Sequence, residues 1–144
     1  MPQSQSFSAA QTIARMAQPP RLGRLHPIAA RFVHSLRLIA LHERAGRDPV
    51  PELATRLGSV TVAARSLALG QALCADWPEN IHVSRYCCEL MSHDEATIGI
   101  MVECAVKCDK RQFEANLRGL IRPDRIERLW DATVEVAAAE ALLG

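Results

Sequence analysis

Apolar residues recur three and four positions apart along most of this chain, and the stretches that keep this spacing predict helices. Ile28, Phe32, Val33, Leu36, Ile39 and Ala40 do so behind Pro27, which suits the first position of a helix reaching to about Arg44. Leu38 and Leu41 widen that stripe, so this helix is expected to be covered on more than one side. Glu52 to Leu57 predicts a short helix between the breaker Gly46, Asp48, Pro49, Pro51 and a closing Gly58. Ser59 or Thr61 caps the next one, to about Ala75. Its residues are apolar almost all round, which places it in the middle of a bundle.

Ser92, His93, Asp94 and Glu95 read as a capping box, with the two acids also suiting the positive end of the helix dipole. Behind the cap, Thr97, Met101, Cys104 and Cys108, with Ile98, Val102 and Ala105 alongside, predict one broad apolar face ending near Cys108. Asp109 caps a helix through Phe113, Leu117 and Leu120 to Ile121. Pro123 opens the last, where Ile126, Leu129, Trp130, Thr133, Val134, Ala137, Ala138 and Ala141 keep helical period. Only Ile81 to Cys87 alternates like a strand. With no second strand to satisfy its backbone, it is expected to be an extended loop, the other option being pairing with its own copy across a dimer axis. The first ten residues, rich in Gln and Ser, are expected to be disordered, and Gln11 to Gln18 could form a short helix before Pro19-Pro20. The expected architecture is all-α: a compact single-domain bundle of six or seven helices over residues 25–144, behind a flexible basic arm at 1–24.

Composition agrees with a folded domain. A chain of 144 residues buries roughly 68–70% of its unfolded surface. Its 49% hydrophobic content with net charge +1 excludes a disordered or strongly polyionic protein. No apolar run reaches the length of a membrane span, and the N-terminus lacks the pattern of a secretory signal. These features point to a cytosolic protein with reduced thiols. Charge is uneven: residues 1–42 hold Arg15, Arg21, Arg24, Arg31 and Arg37 and no acid, while the remainder carries twelve basic and sixteen acidic residues. The ordinary reading of these arginines is a solvated face and a loose tail.

Four of the five cysteines lie in one stretch, as Cys87, Cys88, Cys104 and Cys108. Thiolates four apart on a helix share a side, and a neighbouring pair could complete a tetrahedral zinc or iron site or a redox centre, with His82 or His93 as further ligands. Adjacent cysteines point apart, however, and the apolar neighbours Met101, Val102 and Ala105 raise a thiol's pKa, so packing in the core is the expected role. Residues 50–69 carry Leu53, Ala54, Leu57 and Gly58 where a helix-turn-helix has apolar, small, apolar and glycine. The second helix would read bases with Val60, Thr61, Val62, Arg65, Ser66 and Leu69, which offers one arginine. Nucleic-acid binding would therefore rest on Arg15, Arg21, Arg24 and Arg65. No hydrolase, nucleotide-binding or metalloprotease motif occurs, and His34 and His42 lie two turns apart on one helix, so no catalytic residue or cofactor is assigned. Lys107, Lys110, Arg111, Arg118, Arg122, Arg125 and Arg128 interleave with Asp109, Glu114, Asp124 and Glu127, as in a salt-laced solvent face.

Cys87-Cys88, Met91 and Asp94-Glu95, preceded by the apolar helix Phe32 to Leu41, resemble a segment of small uncharacterised helical proteins of Gram-negative bacteria, over about residues 26–108. The arginine-rich, lysine-poor composition would fit a high-GC genome. That resemblance implies a bacterial source and no activity. By elimination, the expected function is protein–protein interaction in a regulatory or structural capacity. A homodimer is one form of it, since Val134, Val136, Ala137, Ala138, Ala139, Ala141, Leu142 and Leu143 offer more apolar surface than one core face needs. The alternatives are a DNA-binding regulator using residues 50–69 and a cysteine-based metal or redox protein.

Overall fold

The computed structural model describes residues 20–143. The expectations for the first ten residues, for the helix at Gln11 to Gln18 and for Arg15 fall outside that range. The chain forms an all-α bundle of six α-helices: α1 (Pro27–Arg44), α2 (Val50–Leu57), α3 (Val60–Asp76), α4 (His93–Val106), α5 (Lys110–Leu117) and α6 (Pro123–Ala141). A 3-10 turn at Leu22–Arg24 precedes them. No described helix is long and apolar enough to cross a membrane.

Two antiparallel helix pairs make the frame. α1 and α4 are pinned at both ends: His26, just before α1, donates its backbone N–H to Glu103 Oε2 at 2.7 Å, and Arg37 meets Glu95. The first turn of α1 has no acid of its own, so Glu103 supplies the negative charge its dipole favours. In the second pair, Arg65 early in α3 lies 3.3 Å from Glu135 late in α6, while Asp76 at the end of α3 takes Arg125 at 2.8 Å. The main core lies between the pairs. It is built from Phe32, Leu36, Leu69, Leu73, Ile98, Met101, Val102, Phe113, Leu117 and Leu129. A second cluster, with Leu38, Ile39, Leu53, Leu57, Val62, Ala63 and Ala139, joins α2 to the ends of α1, α3 and α6.

Several local expectations change. α3 and α4 each pack on three helices, α3 on α1, α2 and α6 and α4 on α1, α5 and α6, but α3 is not enclosed all round, because its Val60, Thr61, Ala64, Arg65, Ala68 and Gln71 face solvent. Alanine hides little apolar area, so leaving several on the surface costs little, and a pattern that weighs alanine like leucine overstates burial. Residues 20–24 are not a loose arm: Leu22 is buried, and its N–H bonds Glu89 O at 2.8 Å while Met91 N–H bonds Pro20 O at 2.8 Å. This antiparallel bridge between Arg21 and Leu90 is the only β-like pairing among the described residues. Residues 81–85 are irregular and join no sheet, and Tyr86 and Cys87 form a turn closed by Cys88 N–H to Arg85 O at 3.0 Å, so the expected extended run stops short of Cys87.

The capping box at Ser92 and Glu95 forms as the sequence requires. The end of α4 differs. Asp109 N–H returns to Cys104 O at 2.8 Å and Cys108 N–H to Ala105 O at 3.1 Å, a Schellman ending that puts Cys108 in the left-handed region at φ 57°. Cys108 is therefore the residue after the helix, exposed, and not part of the apolar face. The same ending at α1 uses Gly46 at φ 68°. A side chain with a Cβ in this conformation costs about 1–2 kcal/mol, against which glycine loses about 0.5–1 kcal/mol through the unfolded chain. Cys108→Gly is accordingly expected to raise the unfolding free energy by up to about 1 kcal/mol. Urea titration with an unchanged slope is the check.

Candidate functional site

A buried guanidinium organises the part of the surface where function can be read. Arg37, on the inner face of α1, is 1% exposed, and Glu95 is fully buried. Arg37 Nε donates to Glu95 Oε2 at 2.7 Å and Nη2 to Oε1 at 3.0 Å. Its other N–H groups donate to Cys88 O at 2.7 Å, Leu90 O at 3.2 Å and Tyr86 O at 3.3 Å. All five donors are used. Glu95 is equally complete, because Ser84 N–H donates to Oε2 at 3.1 Å and Ser92 N–H to Oε1 at 2.9 Å. Burial alone would push the Glu95 carboxyl up, but the hydrogen bonds from Arg37, Ser92 and Ser84 outweigh it and hold the group below its ordinary value.

The sequence assigned Arg37 to a solvated face, and the structure corrects this. Carbonyls of alternate residues 86, 88 and 90 turn toward the guanidinium, so Arg37 stands where a neighbouring strand would otherwise be needed. The start of α4 holds the rest of the segment: Asp94 Oδ2 accepts from His82 N–H at 2.8 Å, and the Ser92 hydroxyl donates to His82 O. Residues 81–92 are thus fixed without a sheet.

That segment presents Tyr86 to a groove between α1 and α2. Its inner part is a cavity of about 350 Å³ lined by Arg31, His34, Ser35, Leu38, Leu53, Arg56, Leu57 and Tyr86. A second hollow of about 390 Å³ shares Leu38, Arg56 and Tyr86 and adds Leu41, His42, Ala45, Arg47 and Glu52. The partition between them is a stack, with the Arg56 guanidinium 5.2 Å over the Tyr86 ring centroid. His34 also meets that ring, tilted against it with centroids 5.7 Å apart. Leu38, Leu53 and Leu57 form a buried apolar floor. Arg31 braces the inner wall by donating to Glu140 Oε2 at 2.8 Å and to Leu57 O at 2.8 Å. The second bond satisfies a carbonyl that the end of α2 leaves open. Glu52 lies 3.4 Å from His42 Nε2. Arg56 and Arg47 have no carboxylate within ion-pair distance among the described residues.

The residues singled out from the sequence are placed elsewhere. Of the four clustered cysteines only Cys104 is buried; Cys87 and Cys108 are exposed and Cys88 is half-buried, so packing in the core describes one thiol of the four. They sit on different elements, and among the described residues no group of three or more His, Cys, Asp or Glu side chains is arranged to hold a metal. Burial, reinforced by Asp109 and Glu103, pushes the Cys104 thiol up, which suits an inert core residue. In the expected helix-turn-helix, Val62, Ser66 and Leu69 are buried and Arg65 is engaged by Glu135. Arg21 and Arg24 are exposed on the turn packed against residues 89–91, on a different element from Arg65. The basic run after α4 is paired only in part and across elements: Lys110 meets Glu127, Arg122 meets Asp124, and Arg125 and Arg128 reach Asp76, while Lys107, Arg111 and Arg118 have no ion pair among the described residues. Sequence reasoning missed Arg56, Tyr86 and His34 as a group. Nothing in the local pattern connects residues this far apart.

Removing the guanidinium strands a buried carboxylate, so Arg37→Ala is expected to cost about 3–5 kcal/mol in urea unfolding. Because the folded Glu95 carboxyl lies below its ordinary value of 4.5, the unfolded chain binds a proton more readily. The stability due to Glu95 is therefore complete above about pH 4.5 and is lost as pH falls through the folded value. Glu95→Gln should flatten that acid limb while lowering stability near neutral pH. No protein-family model, curated protein or solved structure matches the chain, so its function is argued from this geometry.

Proposed function

We propose that this is a cytosolic protein-interaction module, regulatory or structural in capacity, whose groove between α1 and α2 receives an acidic partner segment with apolar anchors. One observation carries the reading: two adjoining hollows meet at an Arg56–Tyr86 stack over a leucine floor. Tyrosine and arginine are the residue types that dominate binding energy at protein interfaces, and they do so where apolar neighbours exclude water. Arg56 and Arg47 bring positive charge that no carboxylate of the described chain neutralises at ion-pair distance, which favours an acidic partner. All five cysteines are free thiols, in keeping with a reducing compartment.

A homodimer is supported by less. Val136 and Ala139 of α6 are committed to the chain's own core, and the exposed apolar remainder at that end is Leu142, Leu143, Ala138 and Ala141. This is a smaller surplus than the sequence pattern implies.

Selection of random 16-residue peptides displayed on phage against the immobilised protein tests the proposal. Enriched sequences are expected to combine Asp or Glu with Leu, Phe or Trp. Arg56→Glu should weaken a selected peptide at least about tenfold, the loss of one charged interface anchor. Arg65→Glu, on the α3–α6 seam, should leave it unchanged. Enrichment of basic sequences, or indifference to Arg56→Glu, would overturn the reading.

A further inference from the structure

We infer that the inner cavity is the acid-reading subsite of this groove: one carboxylate enters it and accepts hydrogen bonds from a neutral His34, through Nε2–H, and from Arg56. This rests on the reading of the groove as a binding site and adds which chemical group it selects and which residue does the selecting.

The two nitrogens of His34 are in unlike surroundings. Nδ1 is buried and has no hydrogen-bond partner among the described residues. Nε2 makes no hydrogen bond among the described residues and is not among the buried orphaned atoms, and His34 lines the cavity, so Nε2 is the ring nitrogen left free to meet a ligand there. A buried N–H with nothing to donate to is costlier than a bare lone pair, so the proton belongs on Nε2. His42, one helix face away, is not comparable, since its Nδ1 lies 3.0 Å from Leu38 O.

Protonating His34 would put an N–H on the orphaned Nδ1. Burial of the ring opposes the charge, Arg37 opposes it further, and together they hold the imidazole below its ordinary value of 6.5 against the pull of Glu89 and Glu95. The remaining polar or charged groups facing it are Arg31 and Ser35 of α1, Arg56 of α2 and Tyr86, with the Ser35 hydroxyl donating to Arg31 O at 2.9 Å. Glu140 is turned toward Arg31. At neutral pH the cavity therefore shows a neutral N–H donor, the unpaired Arg56 and an apolar floor. An acceptor that carries one negative charge on a short aliphatic stem fits this lining: the carboxylate of an aspartate or glutamate. The volume of about 350 Å³ suits one such side chain with its flanking backbone.

The probe is propionate, a glutamate side chain on its own, with propionamide as the uncharged isostere, added to the ¹⁵N-labelled protein and followed by imidazole NMR. The His34 resonances are expected to show the Nε2–H tautomer at pH 7, to shift saturably with propionate and to ignore propionamide. His34→Leu should weaken propionate about tenfold, the loss of a hydrogen bond to a charged group, while His34→Gln, which keeps an N–H donor, should retain most of the affinity. An Nδ1–H tautomer or imidazolium at pH 7, or equal responses to the two probes, overturns the inference even if peptides bind the groove. Propionate binding without any selectable peptide would instead overturn the protein-binding reading and leave the acid subsite standing.

Discussion

The Arg37–Glu95 pair is the constraint on which the rest of this surface depends. Two opposite charges have been taken out of water completely, and such a pair is stable only when every donor and acceptor finds a partner. Here the guanidinium spends two of its N–H groups on the carboxylate and three on backbone carbonyls of residues 86, 88 and 90. The carboxylate takes two backbone N–H groups in return. One ion pair thereby joins α1, the start of α4 and the extended segment between α3 and α4.

Buried ion pairs often add little net stability over an apolar pair of similar volume. What this one does is fix conformation. A sixteen-residue connection whose only described β-like pairing is the single bridge at Leu90 would normally carry unsatisfied backbone groups or wander in solvent. Arg37 and the Ser92 hydroxyl supply donors, and the Asp94 and Glu95 carboxylates supply acceptors, so the segment has one arrangement. The capping box at α4 thus has two roles, ending the helix and anchoring a loop ten residues earlier in the chain.

The groove follows from that placement. Tyr86 is held at the backbone by Arg37, and its ring lies against both Arg56 and His34. Arg31 ties the end of α2 to α1 and α6 through Leu57 O and Glu140, so the two helices that form the walls are braced from below. The rim of arginine and tyrosine over buried leucines is the feature on which the proposed binding role rests.

The sequence by itself determined most of the helices: the proline starts of α1 and α6, the Ser92 cap and the Gly58 stop follow from interactions spanning four residues or fewer, while it left the number at six or seven and the α3 cap between Ser59 and Thr61. It also determined that Ile81 to Cys87 would join no sheet, though not the turn at Tyr86 and Cys87. Only the tertiary structure decided what satisfies that segment, because the guanidinium that does so lies some fifty positions earlier and looks, in its own neighbourhood, like one more surface arginine. The same holds for the groove, whose Arg56, Tyr86 and His34 come from three separate elements. It holds for the thiols too: periodicity put Cys108 on a buried face, but the backbone turns left-handed at that residue and carries it into solvent. Helical periodicity records which residues share a side of a helix. Which side is buried, and against what charge, is set by contacts between residues far apart in the chain, and local spacing carries no trace of them.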